Sequence, residues 1–390
     1  MKRLECLDGL RGVLAVYVML GHLAPFAVLP AWLIRLLSHG GAAVDIFFVL
    51  SGMVIVQSLE NFHWHGPGFL IARLARTYPV YLAMLALAVI VQALPGDFTR
   101  LPWLGPGSAA RDIWSMGWPR AWSIEVATHL TMTHGLLPDG LVPGGWVSFL
   151  GAAWSLSTEW QFYLLALWLG AWTGPRRMAE AFLLLAGAGL LWQSLAPSEW
   201  LFSRAFLPNK AQFFALGIAS AGLVRGETML RYGLILLATL AVCAVEQRGE
   251  KLLPPLIWTL CLAAQLRPDL PLLRLLAGPL RSRPMLRLGA LSYCIYLANE
   301  PVHKVLGLVL ARIAAGNGVL FTMLWLPGAV SLPLLLSIAL HRWIEAPALR
   351  WGRACARSVM AQAAPHSPAR PPALLILPNR DAASIGAKEP

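Results

Sequence analysis

The feature that most constrains this chain is a succession of apolar stretches, each about as long as a membrane crossing, separated by short polar breaks. A membrane helix needs roughly 20 mostly apolar residues. In lipid, a helix satisfies its backbone polar groups within its own length. On that criterion the sequence predicts ten spans, at 8–29, 39–58, 77–95, 149–172, 178–195, 206–224, 229–246, 252–267, 287–310 and 319–341. Pro208, Pro254 and Pro327 can each mark either a kink or an end. The expected fold is all-α and polytopic, with a membrane domain over 1–357. Residues 358–390 read as a disordered cytoplasmic tail. Only 13% of residues are charged, against about 25% in globular chains.

The net charge of +12 raises the question of nucleic acid. The basic residues, however, stand between apolar runs and beyond the last, and no basic patch is interleaved with aromatics, so nucleic acid is not an expected partner. With both termini cytoplasmic, about two thirds of the 31 basic residues fall on inner segments, as the positive-inside rule requires. This predicts a multi-pass protein of the inner (plasma) membrane, in contact with lipid on its outer faces. Arg11 interrupts the apolar core that a signal peptide needs, so the first helix is expected to stay uncleaved. The five cysteines form no CxxC pair and suggest neither a disulfide framework nor a metal site.

Ionisable residues inside such spans are costly and so are functional candidates. In "LDGLRGVLAVYVMLGH", Arg11 and His22 are eleven residues apart. They share one helix face, roughly 16 Å apart along the axis. Arg11 reads as a snorkelling anchor or a ligand of an anion; His22 as a helix-to-helix hydrogen bond or a base. Asp45 and Glu159 lie at a depth similar to that of His22, and a carboxylate beside a histidine suits general-base work. In "RLARTYPVYL", Arg73 and Arg76 occupy one face at an expected helix start, where guanidiniums and the helix dipole suit phosphates; ordinary positive-inside topology would give the same pair. The Trp-rich loop 96–148 suits either an interfacial lid or sugar stacking. The picture is a cationic inner mouth with acid/base groups in the outer half.

These residues carry a family likeness. "LDGLRGVLAVYVMLGH", "GAAVDIFFVLSGMVI", "RLARTYPVYL", "WSLSTEWQFYLL", "RLGALSYCIYLANEPV" and "HRWIEAPALRWGR", in that order across residues 4–353, resemble the acyltransferase-3 family of membrane O-acyltransferases. The resemblance implies a ten-helix enzyme moving an acyl group, usually acetyl from acetyl-CoA, to a hydroxyl of a carbohydrate or lipid-linked glycan, with no metal. It implies His22 as the catalytic base and Arg73 and Arg76 on the CoA side. The expected mechanism has His22 held by Asp45 or Glu159, and Arg11 steadying CoA or the developing charge. Trp154, Ser155, Tyr163, Tyr296 and Asn299 are expected to contact substrate, and Ser51 and Gly52 to pack helices. Direct transfer is assumed, with an acetyl-His22 intermediate as the alternative. Where relatives often carry a histidine, this chain has Asn299, which hydrogen-bonds but cannot shuttle a proton. With no room after 357 for an esterase-like domain, the stand-alone form is expected. The rival reading is a proton-coupled transporter or flippase.

Overall fold

A computed structural model of the chain describes residues 4–363 apart from residues 95, 97, 106, 107, 109, 110, 112–116, 247 and 248. Helices dominate it, and every segment predicted to span falls on one. In chain order they are α1 (Glu5–Leu23), α2 (Ala31–Leu37), α3 (Gly40–Asn61), α4 (Gly66–Gln92), α5 (Trp122–Leu130), α6 (Trp154–Leu195) and α7 (Ala211–Val224). There follow α8 (Met229–Val245), α9 (Leu253–Leu266), α10 (Pro271–Leu280), α11 (Arg283–Ala314), α12 (Gly318–Leu340) and α13 (Ala346–Ala363). Helix α6 breaks at Gly174, whose φ of 68° needs a residue without Cβ; Pro175 restarts it, giving the two runs expected from the sequence.

Five segments are long and apolar enough to cross a membrane: Glu5–Phe26, Ala31–Asn61, Gly66–Gln92, Gly151–Leu195 and Gly318–Gln362. Helices α7 and α9, with 14 residues each, reach only about 21 Å at 1.5 Å per residue. That is short of the roughly 30 Å hydrocarbon core, so ten crossings do not follow from the helices themselves. The protein is an all-α membrane protein. The tail expected from 358 is helical as far as Ala363, and its remainder, 364–390, lies outside the described residues.

Two crossings hold the site together, and both depend on glycine. Helices α1 and α11 lie side by side and parallel, with Gly12 facing Gly289 and a Cβ on Gly12 only 2.7 Å from the Gly289 nitrogen. Helix α7 is buried nearly all round, the pattern of a central helix. Its Gly217 lies against the Val49 carbonyl of α3, and Gly52 of α3 against the Phe214 carbonyl. Without a hydrophobic force between helices in lipid, such small-residue contacts carry the packing. Gly52 therefore does the packing expected of it. Leu237, Met323, Leu335 and Trp168 leave an apolar exterior.

Helix α4 begins at Gly66, with Pro67 in its first turn, where its missing N–H costs nothing. The span expected from 77 is thus longer by three turns. Arg73 and Arg76 sit inside the helix and not at its N-terminus, so the free amide groups invoked for phosphate are not theirs. Past α12, a single π-turn at His341–Glu345 carries the buried Glu345, whose carboxylate accepts from His341 Nδ1 at 2.8 Å.

Candidate active site

Two cavities of the bundle gather the polar residues of its spans. The first, about 430 Å³, is lined by Arg11, Arg73, Arg76 and Arg353 together with Glu159, Ser51, Tyr163, Ser155, Tyr293 and Tyr296. Four arginines against one carboxylate make it strongly cationic. The Arg73 guanidinium lies over the rings of Phe69 and Tyr163, at 5.5 and 5.7 Å, and its Nε is buried with no protein acceptor among the described residues. An orphaned donor of this kind is costly unless a ligand fills it. Ser51 Oγ donates to Glu159. Ser51, expected only to pack, is therefore part of this cavity, and so is Tyr163, which lies among the arginines and away from His22.

The second cavity, about 390 Å³, is lined by His22, His303, Glu300, Arg204, Trp146, Trp154, Tyr296 and the glycines 21, 40, 41 and 151. Arg204 rests over the Trp146 and Trp154 indoles at 5.3 and 5.9 Å, a cation–π seat. Glu300 accepts from the Ala152 amide at 2.9 Å, beside Gly151, which leaves room for its carboxylate. Loop residues Trp146 and Val147 join the lining, so the C-terminal end of loop 96–148 forms part of this cavity's wall. Val44 and Tyr296 line both cavities.

His22 does not meet the partner expected for it. Its Nδ1 pairs with Asn299 Oδ1 at 2.7 Å. Both protons of the Asn299 amide are committed, to the Ile295 carbonyl at 3.1 Å and the Tyr296 carbonyl at 2.7 Å, so its oxygen faces the imidazole. The hydrogen therefore sits on His22 Nδ1, and Nε2, which pairs with no protein group among the described residues, carries the lone pair of the ring. Asp45 is taken by Lys210 at 2.6 Å, with Lys251 at 3.6 Å. Glu159 is in the arginine cavity. Equal depth on three helices did not bring these groups together because opposite charges nearer at hand won.

Several residues that line or frame the site escaped the sequence reading. Lys210 follows a proline at a helix entry, and Arg204 and Trp146 lie in connecting segments without periodicity. His303 stands one turn beyond Asn299 on α11. It donates from Nε2 to the Ala329 carbonyl at 2.8 Å, which leaves a buried Nδ1 without a partner among the described residues. A histidine within the predicted span 287–310 was the available signal. Among the described residues no group of three or more His, Cys, Asp or Glu side chains is placed to hold a metal.

Fold and site define a helical membrane enzyme with a cationic cavity on one side of a shared wall and a histidine on the other. The acyltransferase domain matches residues 4–342, so the chain belongs to the acyltransferase-3 family and is an acyltransferase of groups other than amino-acyl. It is similar to "Acyltransferase MdmB" of Streptomyces mycarofaciens, 27% identical over 345 residues, covering 78% of this chain and 81% of that one. It is also similar to "Protein 2 in picA locus" of Rhizobium radiobacter, 31% identical over 162 residues, covering 40% of this chain and 78% of that one. No solved structure matches it.

Proposed function

We propose that the protein transfers an acyl group, acetyl in the simplest case, from acyl-CoA to a hydroxyl of a carbohydrate or lipid-linked glycan. The observation that carries this reading is the pair of abutting cavities, one lined by four arginines and the other holding His22 with a free Nε2. Acetyl-CoA enters the first cavity from the cytoplasm, its phosphates met by Arg73 and Arg76 with Arg353 at the mouth. Guanidiniums suit phosphate through paired, charge-assisted hydrogen bonds. The acceptor enters the second cavity from the outer face of the plasma membrane, against Trp154 and Trp146.

His22 Nε2 takes the acceptor hydroxyl proton as that oxygen attacks the thioester carbonyl, then returns the proton to the leaving sulfur. Asn299 keeps the imidazole in the required tautomer. Arg11 belongs to donor binding, and Ser155 to the wall between the cavities. Asp45 serves as counter-ion to Lys210, while Glu159 orders the donor cavity through Ser51.

The test uses purified protein in nanodiscs with acetyl-CoA and a cell-envelope glycan extract. Glycan-dependent CoA release should vanish in His22→Ala, while Arg73→Ala raises the KM for acetyl-CoA at least tenfold. Equal release by wild type and His22→Ala would remove His22 from the chemistry. Acetyl trapped on the protein without acceptor would replace direct transfer by an acyl-enzyme.

A further inference from the structure

Acyl transfer in the sense just proposed needs a donor for the oxyanion that forms when the thioester carbonyl is attacked. Arg11 cannot serve both there and on CoA. It lines only the arginine cavity, and eleven residues of helix put it roughly 16 Å along the axis from His22. The oxyanion forms within reach of the base, so its donor must stand where the two cavities meet.

Two side chains line both cavities, Val44 and Tyr296, and only Tyr296 carries a donor. It lies one turn before Asn299 on α11, on the same face, so it is one step from the partner of His22 toward the arginines. Its ring is buried beside Phe47, with centroids 6.3 Å apart. Its oxygen accepts from Ser155 Oγ at 3.0 Å. Ser155 Oγ also lies 3.3 Å from the Ala152 carbonyl, so its one proton serves two acceptors, while the phenol O–H donates to no protein group among the described residues. A buried hydroxyl proton with no partner, in the wall between a cationic cavity and a base, invites a ligand acceptor.

We propose that Tyr296 is both the partition between the cavities and the oxyanion donor of the transfer. The inference rests on the acyl-transfer reading above. The acceptor oxygen forms a bond to the carbonyl carbon while His22 Nε2 takes its proton. The carbonyl π electrons move to oxygen, which Tyr296 holds through its O–H. As the C–O double bond re-forms, the C–S bond breaks, and the thiolate leaves as CoA thiol with the proton from His22. The ring, for its part, keeps the thioester out of the outer cavity's water until an acceptor fills it.

The test compares wild type, Tyr296→Phe, Tyr296→Ala and His22→Ala, each full-length in nanodiscs with acetyl-CoA, with and without the envelope glycan extract. Tyr296→Phe keeps the wall and loses the donor. It should lower kcat about a hundredfold with the KM for acetyl-CoA and the melting temperature unchanged, a split that a merely structural role would not give. Tyr296→Ala should raise acetyl-CoA hydrolysis relative to glycan transfer. Tyr296→Phe at the wild-type rate would overturn the donor role, and Tyr296→Ala without that rise would overturn the partition. If His22→Ala is inactive while both Tyr296 variants behave as wild type, the acyl-transfer reading stands and this proposal alone falls. Wild type no faster than His22→Ala overturns both.

Discussion

In the proposed mechanism His22 offers Nε2 as a base only while Nδ1 keeps its proton, and the Asn299 amide oxygen, 2.7 Å from Nδ1, holds it there. Asn299→Ala removes one hydrogen bond and frees the ring to turn. The loss of about 1 kcal/mol corresponds to a drop in kcat of roughly five- to tenfold. The KM for acetyl-CoA should not move, because the arginine cavity is untouched; an unchanged kcat would dissociate Asn299 from the base. Asp45 makes the opposite case. Buried with Lys210, it is half of an ion pair whose rupture leaves a lysine without its counter-charge, at a cost of about 3–5 kcal/mol. Asp45→Asn should therefore lower the melting temperature in detergent sharply while sparing activity per folded molecule. Asp45→Leu combined with Lys210→Met should recover most of the loss, since a packed apolar pair avoids desolvating charge. A double variant as unstable as the single would refute the pairing. In the sequence Asp45 was legible as a charge that needed a partner, but the partner stands 165 positions away, and no local pattern names it.

Elements were legible where apolar length defines them and illegible where packing does. The start of α4 was hidden because Arg73, Arg76 and Pro79 look like a helix boundary, whereas Pro67 is the actual first-turn proline. Loop 96–148 was legible as Trp-rich, but its internal core was not. Helix α5 and the turn after it stack His129 on His134, with ring centroids 4.1 Å apart and planes 8° from parallel. Each histidine gives one proton to a backbone carbonyl, Glu125 at 2.8 Å and Ala153 at 3.2 Å. Burial pushes the His129 pKa down to about 4 and that of His134 to about 3, from the ordinary 6.5. Both are neutral in the folded loop, while the unfolded chain binds protons first as pH falls below 6.5. The stability they contribute is thus present above pH 6.5 and is lost as pH falls through about 4 and about 3. By pH 5 the loss is about 2 kcal/mol for each. The melting temperature should fall between pH 6.5 and 4. His129→Phe, which keeps the stack and the edge contact with Phe149, should flatten that slope; identical slopes would assign the acid sensitivity elsewhere.

At the scale of the whole molecule, apolar patterning recorded the solvent of each segment, and charge patterning recorded its end. Hence Arg11, Arg73 and Arg76 fell together at one end and His22 stood at the other, as the sequence suggested. The wall between them was not legible, because Tyr296 and Val44 meet there only through the glycine crossings of α1 with α11 and α3 with α7. Two cavities on opposite sides of one wall predict two separate entrances. Asn61 lines the arginine cavity and Ser38 the His22 cavity, and both are exposed. Of the native cysteines only Cys355 is not buried, so Cys355→Ser gives a quiet background for single Asn61→Cys and Ser38→Cys variants. A membrane-impermeant maleimide added to intact cells should label Ser38→Cys and leave Asn61→Cys unlabelled until the membrane is opened. On the proposed reading acetyl-CoA should then protect Asn61→Cys and not Ser38→Cys, because that reading puts its phosphates on the arginine side alone. Labelling of both positions from one side would mean that donor and acceptor share an entrance, and the transfer would then not cross the membrane at all.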